Sequence, residues 1–201
     1  MDEATTEKIK RLYNRTAVYY DWMDRMVSPK LRKKALSQAY GKVLEVGVGT
    51  GKNIPYYPEG CEVTAIDFSP GMLSKAMKKL HLAKVPVSLL EMDAQEMDFP
   101  DGIFDTVVAT CVFCSVPNPI KGLKEVHRVC KANGRIILLE HVRSNRRMIG
   151  VLMDILNPIS LHVVGSNINR RTLENIQIAG IKVDEVEEFL GKIVKLVIAR
   201  P

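Results

Sequence analysis

Between Thr6 and Met26 the apolar residues Ile9, Leu12, Tyr13, Tyr20, Met23 and Met26 recur at steps of three, four and seven, the period of an amphipathic helix. Pro29 breaks that pattern, and Leu31 to Ala39 predicts another helix. After Gly41 the period changes. Short apolar runs predict strands near Lys42–Val46, Val63–Ile66, Val87–Met92, Phe104–Ala109 and Arg135–His141, with helices fitting between them at Pro70–Leu82 and Ile120–Cys130. Alternating β and α units of this kind build a parallel sheet covered on both faces.

The C-terminal third predicts a helical piece around Met148–Val164 interrupted by Pro158, then a helix at Arg171–Ala179 stopped by Gly180. Two alternating runs follow, Ile181–Phe189 and Ile193–Ala199. Joined by a tight Leu190-Gly191 turn, they predict an antiparallel hairpin at one sheet edge. At 201 residues, with no internal repeat, low-complexity tract or linker, a single domain is expected.

Charge adds little to this picture. A net charge of +6 and a pI of 9.1 are compatible with attraction to nucleic acid or anionic lipid. The basic residues are dispersed, however, with short runs only at Lys30 to Lys34 and Arg143 to Arg147, as on an ordinary solvated surface. No stretch approaches the ~18 uninterrupted apolar residues of a membrane-spanning helix. The start Met1-Asp2-Glu3 lacks the order of a signal peptide, so a soluble, cytoplasmic protein is expected. Cys61, Cys111, Cys114 and Cys130 are too few and irregular for a disulfide framework, and the pair Cys111-Val112-Phe113-Cys114 has no second pair to complete a zinc site. No metal is expected.

The chemistry-bearing signal is Val43-Leu44-Glu45-Val46-Gly47-Val48-Gly49-Thr50-Gly51, a buried strand running into three glycines at alternating positions. A turn this sharp, with a ligand against its backbone, tolerates almost no side chains. Sixteen residues past Gly51 the next strand ends in Asp67, whose carboxylate can accept from both hydroxyls of a ribose. A nucleoside-containing ligand follows. The spacing G-x-G-x-G lacks the third glycine of the dinucleotide fingerprint, and Lys52 to Tyr57 makes only a short, poorly formed helix, which disfavours a pyrophosphate.

These residues resemble motif I and its following acidic position in class I S-adenosylmethionine-dependent methyltransferases, and the similarity extends over nearly the whole chain. The resemblance implies an α/β fold, a Rossmann-like, doubly wound seven-stranded sheet, mostly parallel with a C-terminal antiparallel hairpin. It implies one methyltransferase domain: an N-terminal helical lid at 1–40, a cofactor-binding core at 41–142, acceptor-side helices at 143–180 and the terminal hairpin at 181–201. By the same resemblance Gly47, Val48, Gly49 and Gly51 line the methionine and ribose portion of S-adenosyl-L-methionine, and Glu45 supports the loop. Asp67 then holds the ribose, Phe68 and Met72 flank the adenine, Asp93 with Ala94 meets its amino group, and Cys111 passes beneath the cofactor. Met72 also fits a plain core position, and Asp93 an ordinary turn.

Tyr19-Tyr20-Asp21, the phrase Met97 to Asp105, and Glu125 to Val129 resemble the ubiquinone/menaquinone-type and phospholipid methyltransferases. Leu139 to Val142 and Asn167 to Gly180 resemble the thiol-methylating branch. The implied acceptor is a small or lipid-like molecule: a phospholipid amine, a quinone precursor or a thiol. Candidate catalytic groups are His141, just after the fifth strand, and Tyr20, which also counts as a cofactor contact. Cys114 to Pro119 stands where amino-methylating nucleic-acid enzymes carry an N-P-P-Y-like tetrapeptide, so no nucleic-acid partner is expected. Met148 to Val164, preceded by Arg143, Arg146 and Arg147, reads either as an apolar lid suited to a greasy acceptor or a membrane surface, or as a core helix packing on the sheet or on a second subunit. A nicotinamide-dependent oxidoreductase and a noncatalytic S-adenosylmethionine-binding protein stand as the alternatives.

Overall fold

The computed structural model describes residues 7, 10–14, 27–163 and 165–201. Helix α1 (Pro29–Leu36) is capped by the Ser28 side chain, which accepts from the Leu31 N–H, and carries proline in its first turn. It leads into β1 (Lys42–Val46). A 3-10 turn, Ile54–Tyr56, replaces the long helix that a pyrophosphate fold would place here. β2 (Glu62–Asp67) is followed by α2 (Pro70–Met77), then by β3 (Val87–Glu91) and β4 (Phe104–Thr110). α3 (Pro119–Val129), β5 (Cys130–His141), α4 (Arg147–Val163), α5 (Thr172–Ile178), β6 (Lys182–Phe189) and β7 (Val194–Arg200) complete the order.

The seven strands form one sheet in the order β3-β2-β1-β4-β5-β7-β6, parallel through β5 and antiparallel in the final hairpin. β3 and β6 are its edges. The strand order reverses between β1 and β4, so the crevice beyond their carboxyl ends is the expected ligand position of a doubly wound sheet. On one face Leu44, Val107, Ile136 and Leu138 pack against Leu123 and Val126 of α3 and Ile176 of α5. On the other, Val43, Val108, Ile137 and Leu139 pack against Ala35 and Leu36 of α1 and Ala76 of α2. Strand alternation therefore sends Glu45 toward the α1 face and Glu140 toward the α3 face.

Three expectations change. The helix expected over Pro70–Leu82 ends at Met77, followed by a separate 3-10 turn at Leu80–Leu82. Cys130, expected as the end of a helix, opens β5: Phe104 pairs with Cys130 and Thr106 with Arg135, so the intervening β5 residues bulge. Pro158 does not interrupt α4, which runs from Arg147 to Val163. Side-chain bonds brace the helix on both sides of the proline, from Asp154 to Arg143 and Asn169 and from Ser160 to the Ser166 carbonyl.

α4 is also turned inside out relative to an ordinary surface helix. Its polar residues Asp154, Asn157 and Ser160 face the protein, whereas Met148, Leu152, Ile155 and Ile159 are 86%, 54%, 66% and 62% exposed. Packing of this segment as a core helix on its own sheet is thereby overturned, because only Gly150 and Met153 of α4 are buried; packing on a second subunit is compatible with the same exposed face.

Candidate active site

At the switch point lies a cleft that opens to solvent. Its floor is the glycine loop. Gly47, Gly49 and Gly51 all have positive φ, and the loop is tied to the neighbouring strand by the Val48 N–H, which donates to the Ile66 carbonyl at 3.0 Å. The three glycines meet different surroundings. A Cβ at Gly47 would lie 2.5 Å from Val112 Cγ2, and one at Gly51 would lie 3.0 Å from the Ala76 backbone. One at Gly49 would meet nothing within 4 Å, because that side opens on the cleft. Gly51 is accordingly a packing glycine and is not part of the cleft lining, in contrast to the expectation for it.

Asp67 ends β2 beside this loop. Its Oδ2 accepts from the Gly49 N–H at 2.9 Å and its Oδ1 from the Ser69 N–H at 2.9 Å. Burial raises the Asp67 carboxyl to about 6 despite these two amides. Ser69 then caps α2, accepting from the Met72 N–H. Phe68, Met72 and Met92 give an apolar side to this end of the cleft, and Asp93, Ala94 and Gln95 close it. Asp93 is folded into a turn with the Gln95 N–H on its Oδ1, and Gln95 in turn accepts from the Asn118 N–H.

Glu45, near the end of β1, also lines the cleft. It is fully buried, with Oε1 accepting from Asn53 Nδ2 at 2.9 Å and Oε2 from the Tyr57 hydroxyl at 2.7 Å. Burial raises its carboxyl to about 7, and the two hydrogen bonds offset only part of that rise. Arg32 of α1 donates to Asn53 Oδ1 at 3.0 Å and also lines the cleft. A cation, a carboxyl and an amide thus converge at one place on the cleft wall.

The remaining wall is the segment after β4. Cys111, in a left-handed conformation, lines the cleft with Val112, Ser115, Val116 and Pro117. Residues 10–14 are helical and reach the same place: the Tyr13 hydroxyl meets Ser115 Oγ, and Asn14 Oδ1 accepts from Ser69 Oγ and the Gly71 N–H.

The cleft therefore brings together Glu45, Gly47, Val48, Gly49, Asp67, Phe68, Met72, Asp93, Ala94 and Cys111. His141 is not among its lining residues. It is buried on the α1 face at the end of β5, paired with Val194 of β7, and burial lowers its imidazole pKa. Tyr20 lies outside the described residues. Sequence reasoning did not assign Tyr13, Arg32, Asn53, Gln95 or Ser115 to the site: they come from separate segments, read there as a helix face, a basic run, a weak helix and the stretch after the fourth strand, with no local motif joining them.

The contents suit S-adenosyl-L-methionine: glycine backbone with room above Gly49, the Asp67 carboxyl tied to that loop, apolar side chains of Phe68, Met72 and Met92, and the polar group of Arg32, Glu45 and Asn53. Among the described residues no group of histidine, cysteine and carboxylate side chains could hold a metal.

Comparison with known proteins agrees. Residues 44–138 match the methyltransferase domain family. The chain is 42% identical over 139 residues to a phosphatidylethanolamine N-methyltransferase of Cereibacter sphaeroides, covering 67% of this chain and 68% of that protein. A thiol S-methyltransferase of Rattus norvegicus is 33% identical over 150 residues, covering 72% of this chain and 62% of that one. An S-adenosylmethionine-dependent methyltransferase from Thermotoga maritima superimposes with a TM-score of 0.70 at 18% identity, covering 94% of this chain and 98% of that chain, which shows the shared fold. With that fold, this glycine loop and relatives of this identity, the chain belongs to the S-adenosylmethionine-dependent methyltransferases.

Proposed function

We propose that the chain methylates a small, lipid-like acceptor, with a phospholipid amine, a quinone precursor and a thiol as the candidates, while resting on the surface of an anionic membrane. The observation that carries the lipid reading is the reversed helix α4. Its apolar side faces outward and its polar side bonds to its own protein, as suits a helix lying in a headgroup layer. Exposed Arg146 and Arg147 at its start match an anionic surface. Among the described residues no helix is long and apolar enough to cross a membrane, so the contact proposed is peripheral.

In this reading Asp67 accepts from the ribose hydroxyls, Phe68 and Met72 flank the adenine, and Asp93 with Ala94 meets its edge. Arg32 and the Glu45–Asn53 pair hold the amino-acid end. When bound, S-adenosylmethionine supplies an electrophilic methyl group on a sulfonium. The protein's task is then alignment and exclusion of water, worth roughly 7 kcal/mol or more of barrier lowering. Tyr13 and Ser115 close the wall beside the open side of the cleft. Tyr20 is assigned a ligand contact. The position of His141 away from the cleft gives a role as base no geometric support.

A panel of phospholipid, quinol, thiol and amine acceptors, offered with a labelled methyl donor in the presence and absence of vesicles, tests the proposal. Label transfer to an apolar acceptor, stimulated by anionic vesicles, is the expected result. Transfer only to a fully soluble polar amine would overturn the lipid reading.

A further inference from the structure

The segment from Cys111 to Pro117 forms one wall of the cleft, yet its backbone is held from outside the cleft by two residues of opposite charge. Glu140, at the end of β5, is fully buried, and its Oε1 accepts from the Val112 N–H at 2.9 Å and the Phe113 N–H at 3.2 Å. From the other side Arg170 donates to the Val116 carbonyl at 2.8 Å, and the Asn167 N–H donates to the Cys114 carbonyl at 2.8 Å. The carboxylate takes the donors of the wall, and the guanidinium with its neighbouring amide takes the acceptors.

This arrangement is costly. Glu140 Oε2 and Arg170 Nε are both buried without a hydrogen-bond partner among the described residues. A buried polar atom left without a partner costs stability relative to a well-packed apolar residue of similar volume. Stability alone therefore does not account for a glutamate at the end of an apolar strand. What it does achieve is placement. With the wall fixed, the Val112 side chain rests against Gly47 of the glycine loop, and Ser115 meets the Tyr13 hydroxyl.

We propose that Glu140 and Arg170 are positioning residues for methyl transfer, clamping the wall after β4 by its amides and carbonyls so that the cleft keeps the width its ligands require. The inference rests on the methyltransferase reading above only for the identity of the ligand. Neither side chain is among the residues that line the cleft.

The experiment compares Glu140→Leu, Glu140→Gln and Arg170→Met with the unaltered full chain. Three measurements are made on each: amide exchange protection at residues 112–116, calorimetric affinity for S-adenosylhomocysteine, and thermal midpoint. Glu140→Leu is expected to lose protection at Val112 and Phe113 and to bind at least tenfold more weakly, with a midpoint within a few degrees of the parent. Glu140→Gln retains a carbonyl oxygen for the same amides and should restore protection and bring affinity to within about threefold. Parent-like protection and affinity in Glu140→Leu would overturn the proposal, as would a folded Glu140→Gln no better than the leucine variant. If Glu140→Leu does not fold, Arg170→Met decides: weakened affinity with reduced protection around Val116 supports the clamp, and unchanged values refute it. Failure of the parent itself to bind S-adenosylhomocysteine would count against the cofactor assignment, while the exchange data would still report on the clamp.

Discussion

The Gly49 N–H donates to Asp67 Oδ2 at 2.9 Å, joining the two halves of the nucleoside signature, which lie 18 residues apart in sequence, into one unit. The carboxylate thus shapes the loop as well as facing the cleft. Asp67→Ala removes an acceptor from two backbone amides and from the ribose, and is expected to weaken S-adenosylhomocysteine binding by about 1–3 kcal/mol. Calorimetry measures this, and parent-like affinity would remove Asp67 from the ribose role.

Gly49 and Gly51 should separate binding from folding. Alanine at Gly49 carries only the left-handed backbone strain of roughly 1–2 kcal/mol, but its methyl enters the cleft. Alanine at Gly51 adds a close approach to the Ala76 backbone. Melting curves and calorimetry on both should show Gly49→Ala losing affinity with a modest drop in midpoint, and Gly51→Ala losing more stability. The reverse order would mean that the loop's open side is misassigned.

The pH dependence follows from three buried carboxyls. Glu45 and Glu140 are raised to about 7 and Asp67 to about 6, so the fold favours their protonated forms. Their stabilising contribution is complete below the unfolded carboxyl range near 4 and is lost as pH rises through 6 to 7. His141, whose pKa is lowered, acts oppositely by resisting protonation below about 6.5. Three groups against one make the ligand-free chain more stable near pH 5.5 than near pH 8. Affinity for the cofactor should run the other way, declining below about pH 6 as Asp67 takes up a proton. A midpoint that falls steadily from pH 8 to pH 5.5 would contradict this assignment.

The reversed helix predicts a lipid-specific change. Leu152→Glu with Ile155→Glu places two carboxylates on the exposed face of α4, where neither parent side chain is buried. Co-sedimentation with vesicles rich in phosphatidylglycerol should fall at least several-fold while the melting midpoint stays within a few degrees. Equal sedimentation of parent and variant would dissociate α4 from the membrane.

The sheet and the glycine loop were legible because their signals are local: period-two runs, glycines at fixed spacing, a carboxylate closing the next strand. The cleft's other half was not. Tyr13, Arg32 and Ser115 line one cleft only because distant segments pack around the crevice, and no spacing in the chain encodes that placement. Glu140 was hidden for a different reason, since it closes an apolar run and its role depends on which face of β5 it takes. Pro158 misled because side-chain bonds on both sides of it brace the helix, and these come from residues several turns or a loop away.

The sheet's outer strand also bears on how copies of this chain can meet. β6 is kinked by a register shift between Val183 and Glu185, and its charged residues are bridged to Lys34, Lys195 and Arg200 of the same molecule. An incoming strand would have to displace those ion pairs and follow a broken ladder. Self-association by extending the sheet at this border is thereby discouraged.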